Sequence, residues 1–277
     1  MIKTVVIGDI IGRTGRRCVH EFLGMLREKY CFDILIANGE NAAGGFGITK
    51  KIYDQFVKNF DIDCITMGNH WADKRDILQF FDSAERMVLP ANMANVSSID
   101  AGWKVFTSKS GVEFAVINVM GKAFMKNVSW SPFEMLDKIF ERVPERVKVR
   151  IVDIHAEASS EKQGVGHYLT GKVSLVFGTH CHVQTADERI FEKKTGFITD
   201  IGMTGAYDSV IGIETSAALR YLMKGEKKDF EPSKKDPWLC GIYAEIDAIT
   251  GHCTALERIC WKMADIKPED LEKDKNS

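Results

Sequence analysis

Ile2-Lys3-Thr4-Val5-Val6-Ile7-Gly8 runs into Asp9, and Ile34-Leu35-Ile36-Ala37-Asn38-Gly39 runs into Glu40 and Asn41. Three more stretches follow the same plan: Asp63-Cys64-Ile65-Thr66-Met67-Gly68 into Asn69 and His70, Val149-Arg150-Ile151-Val152-Asp153-Ile154 into His155, and Leu175-Val176-Phe177-Gly178-Thr179 into His180. Each is apolar over the length of a buried strand, and each stops at a residue able to bind a metal ion. Ligands of an open α/β sheet collect beyond the carboxyl ends of its strands, so five polar terminations at that level point to one shared site. The pattern predicts a metal-dependent hydrolase.

Between these strands the periodicity turns helical. Gly12 to Gly15 read as a turn into a helix near Arg16 to Lys29, on which Val19, Phe22, Leu23 and Leu26 share a face. A glycine-rich loop, Ala42-Ala43-Gly44-Gly45-Phe46-Gly47, leads to a helix from about Thr49 to Asn59, with Thr49 as its cap. A third helix is expected near Lys74 to Phe81 and a fourth near Pro132 to Val143. Antiparallel hairpins are expected at Lys104 to Val119, around Lys109-Ser110-Gly111, and at Leu239 to Ile259, around Thr250-Gly251-His252. Short strands fill Arg189 to Glu192 and Gly196 to Thr199. Parallel βα units with added antiparallel strands predict an α/β fold, a four-layer α/β/β/α sandwich with two sheets face to face and helices outside. Residues 1–266 read as a single domain, Gly225 to Asp236 as an exposed loop without chemistry, and 267–277 as a frayed tail.

The totals narrow the partners. A net charge of -2 over 277 residues gives no reason to expect duplex nucleic acid. No apolar run approaches the roughly 20 residues that span a bilayer, so no membrane partner is expected. Seven cysteines without a C-x-x-C pair argue against a disulfide framework or a zinc ribbon. The chain opens on a strand rather than on a secretory leader, which places the protein in the cytoplasm.

His180 and His182 are two apart, and in an extended segment both rings face one side while Cys181 turns away. With His155, Asp9, Glu40 and Asn69 they make a set of nitrogen and oxygen donors large enough for two ions, Glu40 bridging. Such donors, without thiolates, suit catalytic Fe, Mn, Zn or Mg. Taken singly, Asp9 also reads as a helix cap, Asn69 as a turn residue and His155 as a core histidine; their joint placement favours the site. His70, directly after Asn69, is a second-rank imidazole suited to protonating a leaving oxygen. His20 and His252 read as structural or exposed, and His167 as part of a glycine-rich loop with no assigned role.

The combination of Gly8-Asp9-Ile10-Ile11-Gly12, Asn38-Gly39-Glu40-Asn41-Ala42-Ala43-Gly44-Gly45, Gly68-Asn69-His70-Trp71, His155-Ala156-Glu157, Gly178-Thr179-His180-Cys181-His182-Val183-Gln184-Thr185 and Asp200-Ile201-Gly202-Met203-Thr204-Gly205 resembles the calcineurin-like metallophosphoesterases, and within them the YmdB-type bacterial branch. The broad superfamily has Asp-x-His where this chain has Asp9-Ile10-Ile11, Gly-Asp where it has Gly39-Glu40-Asn41, and an acidic residue at Trp71. Those departures are the branch's own. The resemblance implies that Asp9, Glu40 and His182 hold one ion, with Asn41 as an added contact. It implies that Glu40, Asn69, His155 and His180 hold the other, and that His70 is the proton donor. It further implies two divalent or trivalent metal ions, Fe or Mn ahead of Zn or Mg, and a homo-oligomer, dimer or tetramer. The substrate so implied is a cyclic nucleotide, 2′,3′-cyclic for preference, opened by in-line attack of hydroxide held between the ions. Two rival readings stand beside it: a metal-stabilised regulator that binds without turnover, and a dinucleotide-binding turn at Gly12-Arg13-Thr14-Gly15.

Overall fold

The computed structural model describes residues 1–265. In chain order its strands are β1 (Ile2–Ile7), β2 (Asp9–Ile10), β3 (Ile34–Asn38), β4 (Cys64–Thr66), β5 (Met87–Val88), β6 (Trp103–Thr107), β7 (Glu113–Met120), β8 (Val149–His155), β9 (Leu175–Thr179), β10 (Arg189–Phe191), β11 (Thr195–Ile198), β12 (Met203–Ala206), β13 (Pro237–Ile246) and β14 (Cys253–Lys262). The helices are α1 (Gly12–Tyr30), α2 (Lys50–Lys58), α3 (Ile77–Phe80), α4 (Pro132–Phe140), α5 (Ser159–Tyr168) and α6 (Thr215–Lys224). One sheet runs β2-β12-β13-β1-β3-β4-β5 with β14 added against β13; the other runs β10-β11-β9-β8-β7-β6. Both hairpins expected from the sequence are present, as β6 with β7 and β13 with β14.

The period of two along each strand sorts its side chains into layers. Val6, Ile34, Ile36, Val116, Ile151 and Phe177 meet in a core between the sheets. Their neighbours Val5, Ile7, Leu35 and Ala37 face outward to a second core with α1 and α2, while Ala115, Ile117, Val152, Ile154 and Val176 face a third with α4 and α5. Three apolar interfaces separate four layers, the expected α/β/β/α sandwich.

Local departures have local causes. Gly12 to Gly15 form the first turn of α1 rather than a loop ahead of it, with Gly12 N donating to the Asn41 carbonyl and Gly15 N to that of Ile11. Amides already bonded in this way do not cradle a pyrophosphate, which removes the dinucleotide reading. Thr49 caps α2 as expected, accepting from Ile52 N. The loop expected around His167 is instead α5, because Gly166 must lie against Phe197, whose ring carbon sits 2.4 Å from where a Cβ would be. His167 stacks on Phe191 at 4.3 Å between ring centroids and takes no part in the strand-end site. The expected tail lies outside the described residues. Among the described residues, no helix is long and apolar enough to cross a membrane.

Candidate metal centre

Two groups of donors stand at the carboxyl ends of the central strands: Glu40, His155 and His180, and Asp9, Glu40 and His182, each with its ligand atoms within 4.8 Å of one another. Glu40 belongs to both. Asp9 follows β1, Glu40 follows β3, His155 ends β8 and His180 follows β9, so the two sheets contribute donors from opposite sides. Asn69 Oδ1 lies 3.1 Å from His155 Nε2, and Asn41 and His70 line the same cavity. All eight candidate residues, Asp9, Glu40, Asn41, Asn69, His70, His155, His180 and His182, therefore fall in one place.

His180 and His182 reach it differently from the extended geometry expected of them. Both have left-handed backbone, with φ of 92° and 64°. The segment turns, and the two rings go to different donor groups instead of facing one ion.

A layer of polar groups aims the rings. Thr179 Oγ1 donates to Asp153 Oδ1 at 2.7 Å and so accepts from His155 Nδ1 at 2.8 Å, leaving His155 Nε2 toward Glu40. Asp153 also accepts from Thr66 and Asn38 of the facing sheet, at 2.5 and 3.3 Å. His182 Nδ1 donates to the Ile211 carbonyl at 2.9 Å, and His70 Nδ1 bonds Asp73 Oδ2 at 2.7 Å. In each case one nitrogen is anchored and the other is freed, the usual second layer of a histidine metal site. Lys162, fully buried, bonds Asp200 Oδ2 at 2.7 Å and Cys181 Sγ at 3.3 Å, while Asp200 accepts from the Cys181 amide at 3.1 Å. This pair clamps the residue between the two histidines.

The charges are unbalanced in a telling way. Burial penalises the Glu40 carboxylate, but the charge and hydrogen bond of His155, with His70 behind them, outweigh it and hold the group at about 2. Burial likewise opposes a charged His155, and Glu40, Asp9 and Asp153 override it, raising the ring to about 9. Burial, reinforced by the charge of His155, lowers His180 to about 3, and burial lowers His182. Asp9 is raised well above the carboxylate range by burial, only partly countered by His155. Its Oδ1 and the Oδ1 of Asn41 are buried without a hydrogen-bond partner. A buried oxygen left unbonded costs about 1–3 kcal/mol. Two such oxygens beside neutral imidazoles, in a pocket short of positive charge, fit cations.

Sequence reasoning did not find Asp73, Asp153, Thr179 and Lys162. Asp153 had a visible signal, a carboxylate inside an otherwise apolar strand. Asp73 supplies, three residues after His70, the carboxylate missing at Trp71. Lys162 had no signal, since nothing in its helix announces that it is buried.

A two-sheet sandwich with nitrogen and oxygen donors at its strand ends has the architecture of the calcineurin-like phosphoesterases. The chain belongs to the YmdB-like protein family, whose model matches residues 5–259. It is 38% identical, over 93% of its length and 96% of the relative's, to the Bacillus subtilis (strain 168) protein named 2′,3′-cyclic-nucleotide 2′-phosphodiesterase. Among solved structures it resembles a phosphatase from Mycoplasma pneumoniae, with TM-score 0.87 and 32% identity over 98% of this chain and 96% of that one. It also resembles a hypothetical protein from Thermus thermophilus, with TM-score 0.85 and 32% identity over 94% of this chain and 99% of that one.

Proposed function

We propose that this protein is a dinuclear-metal phosphodiesterase that opens 2′,3′-cyclic nucleotides at the 2′ bond. The observation that carries the reading is Glu40, shared by two donor groups, with its Oε2 accepting from the backbone amide of His70 at 3.0 Å. The naming of the Bacillus subtilis relative supports the substrate. Asp9, Glu40 and His182, with Asn41, would hold one ion, and Glu40, Asn69, His155 and His180 the other. Nitrogen and oxygen donors suit Fe or Mn, with Zn or Mg as alternatives. Bound ions would supply Lewis acidity toward the phosphoryl oxygens and activate the attacking water.

The chain's own residues do the rest. Glu40 fixes the position of His70 through its amide, and Asp73 takes Nδ1, leaving Nε2 for proton exchange. Water adds to phosphorus as hydroxide, its other proton passing to solvent, while the P–O2′ bond breaks and O2′ leaves with the proton of His70 Nε2, giving a 3′-phosphomonoester. A solvent proton restores the ring. The free state of all seven cysteines supports a reducing, cytoplasmic setting, and a homo-oligomer is what the sequence resemblance implies.

Metal-replete protein should convert 2′,3′-cyclic AMP to 3′-AMP. His70→Ala should keep its metal and lose about 10²–10⁴ in kcat, whereas Glu40→Gln should lose metal and turnover together. Parent turnover in the His70 variant would remove that residue as the acid. Binding of cyclic nucleotide without hydrolysis by metal-replete protein would replace the enzyme with the regulator.

A further inference from the structure

The cavity over the donors, about 320 Å³, is lined by polar and apolar residues. The apolar ones, Ile11, Phe46, Ile211, Ile213 and Phe230, come together from four separate segments. Phe46 and Phe230 lie nearly parallel, 6.3 Å between centroids and 20° between planes. Lys227 Nζ stands 5.3 and 5.5 Å from those two ring centroids. Phe46 also meets the His70 ring edge-on at 4.9 Å. Ile211 is 51% exposed and holds φ of 45°, an uncommon conformation for a β-branched residue, while its carbonyl accepts from His182. The loop that orients a metal-site histidine thus presents an apolar side chain to the cavity.

Resting on the phosphodiesterase reading above, we propose that Phe46 and Phe230 form a nucleobase subsite that sets both substrate preference and which ester bond breaks. Hydrolysis of a phosphoryl group has no need of an aromatic wall. Flat bases have π-faces that stack on such rings. The geometry also selects the bond. The base sits on C1′, next to C2′, so a base against Phe46 brings O2′ rather than O3′ toward His70, which Phe46 touches. The donor end recognises any cyclic phosphate, and the aromatic end recognises the nucleoside.

The test compares 2′,3′-cyclic AMP with ethylene glycol cyclic phosphate, which has the ring ester and no base, in the metal-replete protein. The ratio of their kcat/KM values should fall by roughly tenfold or more in Phe46→Ala and in Phe230→Ala, on the scale of one lost stacking partner. Phe230→Trp should restore it. The product mixture of Phe46→Ala should shift from 3′-AMP alone toward 3′- and 2′-AMP together. An unchanged ratio with 3′-AMP as sole product would overturn the subsite, as would equal losses on both substrates, which mark a structural role. If the parent hydrolyses neither compound, the phosphodiesterase reading falls; if it hydrolyses both with the same kcat/KM, the subsite alone falls.

Discussion

The two ends of the cavity are built by opposite means. At the donor end the side chains hang from strand ends or the turns beyond them, and His155 is held through Thr179 and Asp153 by a polar layer that crosses between the sheets. At the apolar end Phe46, Ile211 and Phe230 come from irregular segments, and Ile211 keeps an unfavourable backbone conformation. The difference teaches that positions shared by a chemical mechanism are set by the sheets, whereas those that choose a substrate are set by loops. Loops tolerate change at less cost to the frame.

The donor end should break abruptly, and Gly68 is the sharpest place to break it. A Cβ there would stand 2.2 Å from His155 Nε2 and 2.3 Å from Glu40 Oε2, on the two side chains that form the buried ion pair. Gly68→Ala must displace one of them, and Glu40 serves both groups. Metal analysis should find both ions lost, and kcat/KM should fall by more than about 10²-fold, the scale of an ångström-sized misplacement. A variant that kept full metal content would show the donor end to be more pliable than its packing says.

Lys162→Met tests the layer behind the donors. The Lys162 charge is supported by Asp200 against the cost of burial, which leaves the ammonium group raised above its ordinary value. Removing it strands the Asp200 carboxylate at 1% exposure, and breaking a buried pair in this way costs about 3–5 kcal/mol. Thermal unfolding should report that loss. Metal affinity should drop by about 10–100-fold, as for other groups that orient ligands. Destabilisation with unaltered metal affinity would confine Lys162 to structure.

These contrasts explain what could be read in advance. Asp9, Glu40, His155 and His180 were legible because a buried strand has a strict period and a polar stop breaks it visibly. The four layers were legible in the parallel βα units joined to antiparallel hairpins, an order that calls for two sheets with helices outside. Phe46 sat in a loop already marked as glycine-rich, but its partner Phe230 lies in residues 225–236, whose charged composition reads as solvated and without chemistry. The segment is indeed exposed over most of its length, but Phe230 lines the cavity and Ser233 is buried. Composition averages over residues, and a single inward side chain leaves no trace in the average. The α5 helix was hidden because Gly166 serves close packing against Phe197 rather than a turn.

A pH experiment distinguishes a preformed donor end from one assembled by its ions. In metal-stripped protein His155 is raised to about 9. A histidine raised on folding contributes stability that is complete below its unfolded value near 6.5 and is lost as pH climbs through about 9. Glu40, lowered to about 2, contributes above about 4.5 and loses its contribution as pH falls toward 2, so it is constant across the alkaline window. His180 and His182, both lowered, are neutral there and add no slope. Asp9, raised well above the carboxylate range, adds to the same decline, so stability of the stripped protein should fall between about pH 6.5 and 9, by up to about 1.4 kcal/mol per unit for each proton held only in the folded state. Metal-replete protein, in which His155 has already given up its proton, should stay flat by comparison. Parallel curves would mean that the Glu40–His155 pair does not hold the stripped donors in place.

The smallest effect belongs to the loop end and should have the opposite sign. Ile211 at φ 45° carries a conformational cost that glycine does not, and its side chain recovers little of it because half remains exposed. Ile211→Gly relieves the backbone, gives the unfolded chain more entropy in partial offset, and should gain roughly 0.5 kcal/mol net. The same change removes part of the apolar wall, so preference for the nucleotide over the base-free cyclic phosphate should weaken by about the few-fold expected of one lost side chain in an apolar pocket. Thermal unfolding and the kcat/KM ratio measure the two sides. A rise in stability together with a fall in selectivity would show strain retained for substrate choice. A fall in both would place Ile211 with the donor end, as a residue needed chiefly to hold the carbonyl that His182 binds.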